Sequence, residues 1–579
     1  MAVEMKMGGM ESKRTLLDSL RASLWSERSS FDSHWKDIAD HVRPRRARFQ
    51  VSETNRGDKK NQKIINSRAT TASRTMRSGM MGGITSPAEQ WFRLTAPNPE
   101  LTEDWEVKEW LDRTTEIMNA KIHGSNFYDT APTFYSDLGD FGTSPMFVEE
   151  DFESVFNTEV FPVGSYVLGN DARGRVRVFG REFQLTVRQL IERYGVRDEK
   201  GNVLNWENFS DTVHTAWEKN ELERWIVVCH IIQENRNFDP NRLGAKFMRY
   251  SSDHFETGGG RGHGYLTDSD NGRFLKESGY KRWPVLVGRW DKNAEDVYST
   301  DSPGMTCLGD IKSLQTMERR LAQAVEKGIN PPMTGPTSLA NSAVSILPGG
   351  NTWVDVRDGQ SGFRPAHEVR VNIADLRINI QECEARISRA YYEDLFLMLA
   401  NDDRAERPTA EEVRVRQQEK LGELGPVLAQ LNVGVLKPFI EMVFAFCFDQ
   451  GYIPEPPESL RGQDIKIEFV SVMAKAQKLM GAASVERFSG FMLNIAQLTG
   501  DPSALDKWDI DQTADEYSTI LSIKTSMVRS DEKVAEMRES RAQAQQQAVA
   551  AQQAKDQASA VKQLADAKVT DDSALAQMA

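Results

Sequence analysis

The segment VYSTDSPGMTCLGDIKSLQTMERRLAQAVEKGINPPMTGP at 297–336 constrains this chain most, because a Pro-Gly loop opens a helix of about twenty residues that Pro331-Pro332 then stops. Asp310 stands where it can cap the start, and Ile311, Leu314, Met317, Leu321, Ala324 and Val325 recur at helical spacing. A second stripe follows, with Ile373, Leu376, Ile380, Cys383, Ile387, Tyr391, Leu395 and Met398 alternating by three and four. Two long helices therefore bracket residues 331–372. Charge occupies their other faces: Lys312, Glu318, Arg319, Arg320 and Glu326 on the first, Arg377, Glu384, Arg386, Arg389 and Glu393 on the second. Each helix is thus a wall with one apolar and one wet side.

The 579 residues leave ample material for a core, enough for about four ordinary domains. A net charge of −13 argues against a simple electrostatic clamp on nucleic acid. That charge is segregated: 43–77 carries eleven Lys or Arg against Glu53 and Asp58, or +9, leaving −22 for the rest. Such a basic segment reads either as a contact with nucleic acid or an acidic partner surface, or as a solvated face or a subunit contact between acidic and basic patches. Cys229, Cys307, Cys383 and Cys447 lie far apart, without zinc or disulfide-framework spacing, which fits a reducing cytoplasm. No apolar run reaches membrane-spanning length, the nearest being 439–448 broken by Glu441, and the first residues lack a hydrophobic signal core.

Periodicity predicts a helix over 11–42 carrying Leu16, Leu20, Leu24, Phe31, Trp35 and Ile38, closed by Pro44. Residues 145–190 alternate as antiparallel strands around Asn170-Asp171 and Gly174, and a helix over 188–194 stops at Gly195. Further strands are expected over 225–232, 283–290 and 465–470. Thr409 and Glu412 form a capping box for a helical pattern reaching Gly451, which Gly422, Gly425, Pro426, Gly434 and Pro438 should bend or break. Helical patterns resume over 473–541, and the final 38 residues, rich in alanine and glutamine, are either disordered or a helix that needs neighbours. The fold class is α+β and helix-rich.

No enzyme chemistry finds a home in these patterns. GGGRGHG at 258–264 lacks the ending of a phosphate loop and misses the dinucleotide fingerprint, so it reads as a loop in which His263 is exposed. The eight histidines form no HExxH pair, and 359–362 is one residue short of a nucleophile elbow. Asp402, Asp403 and Glu406 could hold magnesium as in a nuclease, but Arg404 and Arg407 interleave with them, which favours a polar connecting loop.

Several longer stretches resemble the portal, or head-to-tail connector, proteins of short-tailed double-stranded DNA bacteriophages. They are INSRATTASRTMRSGMMGGITSPAEQWFRL at 65–94, FGTSPMFVEED at 141–151, TVRQLIERYG at 186–195, SPGMTCLGDIKSLQTMER at 302–319, RPTAEEVRVRQQEKLGELGPVL at 407–428 with LKPFIEMVFAFCFDQGYIPEPP after it, and IKIEFVSVMAKAQ at 465–477. Their order along the chain carries the resemblance.

The resemblance implies a non-enzymatic, cofactor-free homo-oligomer: a ring, usually of twelve subunits, at one capsid vertex, assembled in the bacterial cytoplasm. Double-stranded DNA would pass through its channel during packaging and ejection. The implied partners are the large subunit of a separate terminase, the major capsid and scaffold proteins, and tail adaptor proteins, with no membrane. Residues 1–303 would be the wing, 304–330 and 371–400 the stem helices, and 331–370 the clip. Residues 401–408 would be the channel loop, 409–472 the kinked helix and return strand of the wing, 473–541 the crown, and 542–579 a barrel helix or a disordered tail. Asn401, Asp402, Asp403, Arg404, Glu406 and Arg407 would then lie nearest the DNA, with Lys312, Arg319, Arg320, Arg377, Arg386 and Arg389 as stem contacts. Arg43, Arg45, Arg46, Arg48, Lys59, Lys60 and Lys63 are candidates for a contact with a neighbouring subunit or the capsid. A scaffold or other virion protein, and the metal-dependent nuclease, are the alternatives.

Overall fold

The computed structural model describes residues 13–50, 59–96, 104–199, 202–257, 273–293, 296–335, 373–400, 424–471 and 531–576, with short pieces between them. In chain order these form α1 (Lys13–Val42), α2 (Arg68–Ile84), β1 (Phe92–Thr95), α3 (Trp105–Gly124), α4 (Phe127–Phe141), β2 (Thr143–Asp151), β3 (Val155–Val160), β4 (Tyr166–Asn170), β5 (Val176–Thr186), α5 (Val187–Tyr194), α6 (Asp211–Glu218), β6 (Trp225–Glu234), β7 (Tyr250–Glu256), β8 (Lys276–Tyr280) and β9 (Val285–Arg289). After them come α7 (Leu308–Ile329), β10 (Met333–Thr334), β11 (Arg364–Pro365), α8 (Ile373–Ala390), α9 (Glu393–Ala400), α10 (Leu424–Asp449), β12 (Lys466–Phe469) and α11 (Asp531–Ala576). The class is α+β, as expected from the sequence. Two compact units result: one of 1–91, 116–453 and 471–473, the other of 92–115, 454–470 and 474–579.

In the first unit, five antiparallel strands pair in the order β4-β5-β6-β7-β8, and a second sheet has the order β3-β2-β9. The turn between β4 and β5 is the one read from Asn170-Asp171: the Asp171 amide donates to the Arg175 carbonyl at 2.7 Å, and Gly174 takes a φ of +70°. A capping box of Thr186 and Gln189 starts α5, which ends at Gly195. Helix α1 packs on the larger sheet, where a Cβ on Gly169 would stand 3.2 Å from Leu24 and one on Gly180 3.3 Å from Trp25. Leu17, rather than the expected Leu16, is its buried leucine in the first turns. Periodicity also passed over two buried arginines on this face, Arg14 and Arg28, whose guanidiniums donate to the carbonyls of Glu256 and Gly164.

Strand β7 was not expected. Its sequence, YSSDHFE, is buried throughout although most of it is polar. Asp253 pairs with Lys13 at 2.6 Å, Ser252 with His230 at 2.9 Å, His254 with Tyr194 at 3.0 Å, and Glu256 with Ser210 at 2.5 Å. Each of these polar side chains has a partner, although the second Asp253 oxygen has none, and together they erase the apolar alternation by which a strand is read.

The long pattern ending at Gly451 bends by a different device than a break. Within α10 the five residues Asn432–Leu436 form a π-turn that ends two residues before Pro438. A wider turn tolerates the missing proline N–H and keeps the rod continuous. Contrary to the sequence expectation, Leu424–Asp449 is long and apolar enough to cross a membrane, yet more than half of its most apolar stretch is buried in this unit: Phe439 stacks on Phe127 at 4.6 Å and meets Phe156 edge-on. It is a core helix.

In the second unit β1 and β12 pair antiparallel with Phe92 opposite Phe469, so the expected strand at 465–470 is present. Trp110 Nε1 donates to the Pro454 carbonyl at 3.0 Å. Helix α11 spans 46 residues, includes most of the alanine- and glutamine-rich tail, and is exposed over 538–560.

Candidate functional site

The Pro-Gly opening of α7 is built against the end of α4. Pro303 begins a short helical turn whose cap is Ser302, accepting from the Met305 amide at 3.2 Å. Gly304 follows because there is no room for more: a Cβ there would stand 2.3 Å from the Asp140 carbonyl oxygen. Helix α7 then starts at Leu308, so Asp310 lies inside the first turn and does not cap it. Its carboxylate reaches across to Arg386 at 3.0 Å, while Cys383 Sγ lies 3.2 Å from its carbonyl. The start of α7 therefore meets the end of α8, and the two run antiparallel.

The sequence predicted one continuous helix over 371–400, but it breaks between α8 and α9, where Tyr392 adopts a φ of +54°. Tyr391 is fully buried there and its hydroxyl donates to Asp140 at 3.1 Å. Asp140 is the centre of a polar junction. Its other oxygen accepts from Ser73 at 3.0 Å and from Arg43 at 3.3 Å, and Arg43 and Arg46 both pair with Asp137, at 3.0 and 2.7 Å. Burial pushes the Asp140 carboxyl up from its ordinary range, and Arg43 opposes that shift. Burial likewise opposes the charge of Arg43, but the Asp137 and Asp140 carboxylates prevail and raise its pKa.

The INSR stretch clamps the helix pair onto this junction. The amides of Ile65 and Asn66 both donate to Gln315 Oε1, at 2.6 and 2.8 Å, and Gln315 Nε2 returns a bond to the Asn66 carbonyl at 2.9 Å. Asn66 Nδ2 bridges Glu318 of α7 and Glu384 of α8, each at 2.8 Å. Arg68 binds Ser388 and Glu393. Glu318, Glu384 and Glu393, which the charge pattern assigns to wet faces, are thus structural partners of Asn66 and of Arg68 at the start of α2. Sequence reasoning missed Asn66, Gln315 and Asp140 as a group, because their partners lie 249 to 318 residues away for the first two and 251 for the bond from Tyr391 to Asp140.

The candidate cations fall into three sets. Arg43, Arg46 and Lys63 are tied within the subunit, the last to Asp40 at 2.7 Å, while Arg45 and Lys59 are exposed and Arg48 and Lys60 half-buried. Lys312 pairs with Asp37 at 2.5 Å and Arg386 with Asp310. Arg319, Arg320, Arg377 and Arg389 are exposed on α7 and α8, with no carboxylate partner among the described residues. Asn401, Asp402, Asp403, Arg404, Glu406 and Arg407 lie outside the described residues, as do 258–264 and the Thr409 and Glu412 box. Among the described residues no group of three His, Cys, Asp or Glu is placed to hold a metal ion, and all four cysteines are free and buried.

The junction joins INSR and SPGM, two of the stretches that carry the resemblance, to Asp137 and Asp140 just before FGTSP, and the family model of bacteriophage head to tail connecting proteins matches residues 14–528. The chain belongs to that family. It is 41% identical to the portal protein of Salmonella phage epsilon15 over 567 residues, which is 98% of each chain. It is also 38% identical to a probable portal protein of Bordetella phage BPP-1, covering 94% of this chain and 93% of that one. A head-to-tail connecting protein is a structural component of the virion, and the polar junction is the part of this one that ties its helix pair to α4 and the INSR stretch.

Proposed function

We propose that the chain is a portal subunit, with copies closing into a ring of twelve at one capsid vertex and double-stranded DNA entering and leaving through the channel. Near-full-length similarity to a portal protein carries the reading. The helix pair supports it. Burial on α7 is confined to the end at the junction, through Ile311 and Leu314, and on α8 it runs from Ile380 through Cys383 and Ile387 toward that end. At the far ends Ile329 is 80% exposed and Ile373 38%. Apolar positions left uncovered at the tip of a two-helix projection suit neighbours supplied by a cyclic ring.

In this assignment α7 and α8 belong to the stem helices 304–330 and 371–400, residues 331–370 are the clip, and 401–408 the channel loop. Residues 1–303 with 409–472 form the wing, 473–541 the crown, and α11 a helix of the tail barrel. Arg319, Arg320, Arg377 and Arg389 are the stem cations free to meet DNA, sparse enough in an acidic chain for DNA to slide rather than bind. Arg45 and Lys59 carry the outward charge of the basic segment toward a neighbouring subunit or the capsid. The terminase large subunit docks first and the tail adaptors later, while the capsid and scaffold proteins surround the ring during cytoplasmic assembly. Phage particles assembled without this chain should be DNA-free and tailless; DNA-filled, tailed particles would overturn the proposal.

A further inference from the structure

A cavity of about 940 Å³ opens in the first unit between the β4-β5 turn, the segment linking β8 to β9, and the π-turn of α10. Five of the cations lining it, Arg177, Arg249, Lys281, Arg289 and Lys292, have no carboxylate partner among the described residues. Arg175 and Arg282 also face it and are paired with Asp171 and Asp449, leaving Glu441 as the lining's one acid. The floor is apolar, with Trp283 and Val287 beside Val433, which the π-turn leaves 73% exposed.

Three donors in this lining are buried and unmet: Arg177 Nε, Arg289 Nε and Trp283 Nε1. Arg289 is only 9% exposed, and burial lowers its pKa. These three donors have no accessible surface and stay inside the wall; it is the five cations without a carboxylate partner around the opening that suit carboxylates arriving from outside. The exposed apolar floor further asks for an apolar anchor between them, a demand that a phosphate backbone does not meet.

The chain carries such a ligand. The β2-β3 hairpin ends in Glu149, Glu150, Asp151, Phe152 and Glu153, and Phe152 is 85% exposed. Its tip is preformed: Asp151 accepts from both the amide and the hydroxyl of Ser154, at 3.0 and 2.6 Å, and Val155 holds a φ of +74°. With Phe152 in solvent, the subunit's own cavity does not hold it.

We propose that this cavity receives the acidic, phenylalanine-tipped hairpin at 149–153 of a second copy of the chain, making a heterologous contact between adjacent subunits. The assignment rests on the ring reading above and names one of its interfaces. A ring needs two different surfaces that fit each other, and a cationic cavity with an apolar floor fits a carboxylate-flanked aromatic.

The test uses the full chain. Reversal of Arg249 and Lys281 to Glu, or of Glu150 and Glu153 to Lys, should each weaken self-association by about tenfold or more, and the combined variant should recover it. Phe152→Cys with Val433→Cys should give covalent dimers and longer ladders on oxidation, since the four native cysteines are buried. Unchanged association in both reversals, or a disulfide formed only within one chain, overturns the contact. Reversals that abolish binding of short duplex DNA while leaving association intact would make nucleic acid the occupant and overturn it equally. Rings that form normally in the reversal variants would leave the portal reading standing and remove only this interface. Absence of rings in the unaltered chain, both alone and with the capsid protein, would remove the portal reading, and intermolecular ladders would then still decide the contact.

Discussion

Gly304→Ala isolates the closest approach in the junction. Its Cβ would stand 2.3 Å from the Asp140 carbonyl oxygen, 2.9 Å from the Asp140 Cα and 3.0 Å from its carbonyl carbon. All three atoms are backbone at the end of α4, so no side chain can swing away. The gap falls about 1 Å short of ordinary contact, and relieving it moves the Ser302 cap, whose hydroxyl donates to that same carbonyl at 3.2 Å. Overpacking of this kind costs about 1–3 kcal/mol, and the cost falls on the anchorage of α7. Gly309 and Gly328 lie in α7 itself with nothing within 4 Å of an added Cβ. Alanine at either should stabilise by up to about 1 kcal/mol through helix propensity. Thermal unfolding of the three variants, with hydrogen exchange over 308–329, should show Gly304→Ala below the parent and both controls at or above it. A Gly304→Ala protein as stable and as protected as Gly328→Ala would refute the argument that Asp140 and Gly304 set the start of the helix pair.

Asn66→Ala should loosen both helices at once, by about 2 kcal/mol, because it removes bonds to two carboxylates and leaves Glu318 and Glu384 facing each other; loss of exchange protection in only one helix would count against the bridge. Tyr391→Phe should cost about 1.5–3 kcal/mol by removing a donor from a buried carboxyl, measured as a lower denaturation midpoint. The stacked His230 and His254 give a pH signature. Burial holds His254 at about 3 and His230 well below the ordinary value, so the folded state binds fewer protons than the unfolded chain. Their contribution is full above about pH 6.5 and is lost as pH falls, at about 1.4 kcal/mol per pH unit for each. Thermal unfolding at pH 7 and pH 5 should show this loss, and His254→Gln should reduce it; an equal loss in the variant would contradict it.

The elements that sequence reasoning located correctly are those with local causes. The β4-β5 turn needs only Asp171 and Gly174, α5 only its capping box and Gly195, and the opening of the helix pair only Ser302, Pro303 and Gly304. What it misplaced depends on distant partners. Tyr392 breaks the second long helix beside a tyrosine that answers to Asp140, and β7 is held by polar pairs from α1, β6 and α5. The junction was visible as INSR and SPGM but not as a contact, since side chains that share a bond there are hundreds of residues apart. The cavity depends on the π-turn, which a helical pattern with Gly434 and Pro438 announces only as a bend.

Electron microscopy of the purified chain over a range of concentrations tests the portal reading most directly. Closed rings with a central hole of roughly 20 Å or more, wide enough for duplex DNA, and with the paired helices α7 and α8 arranged around the channel, are the predicted result. Compact particles without a channel at every concentration, both alone and when assembled with the capsid protein, would contradict it.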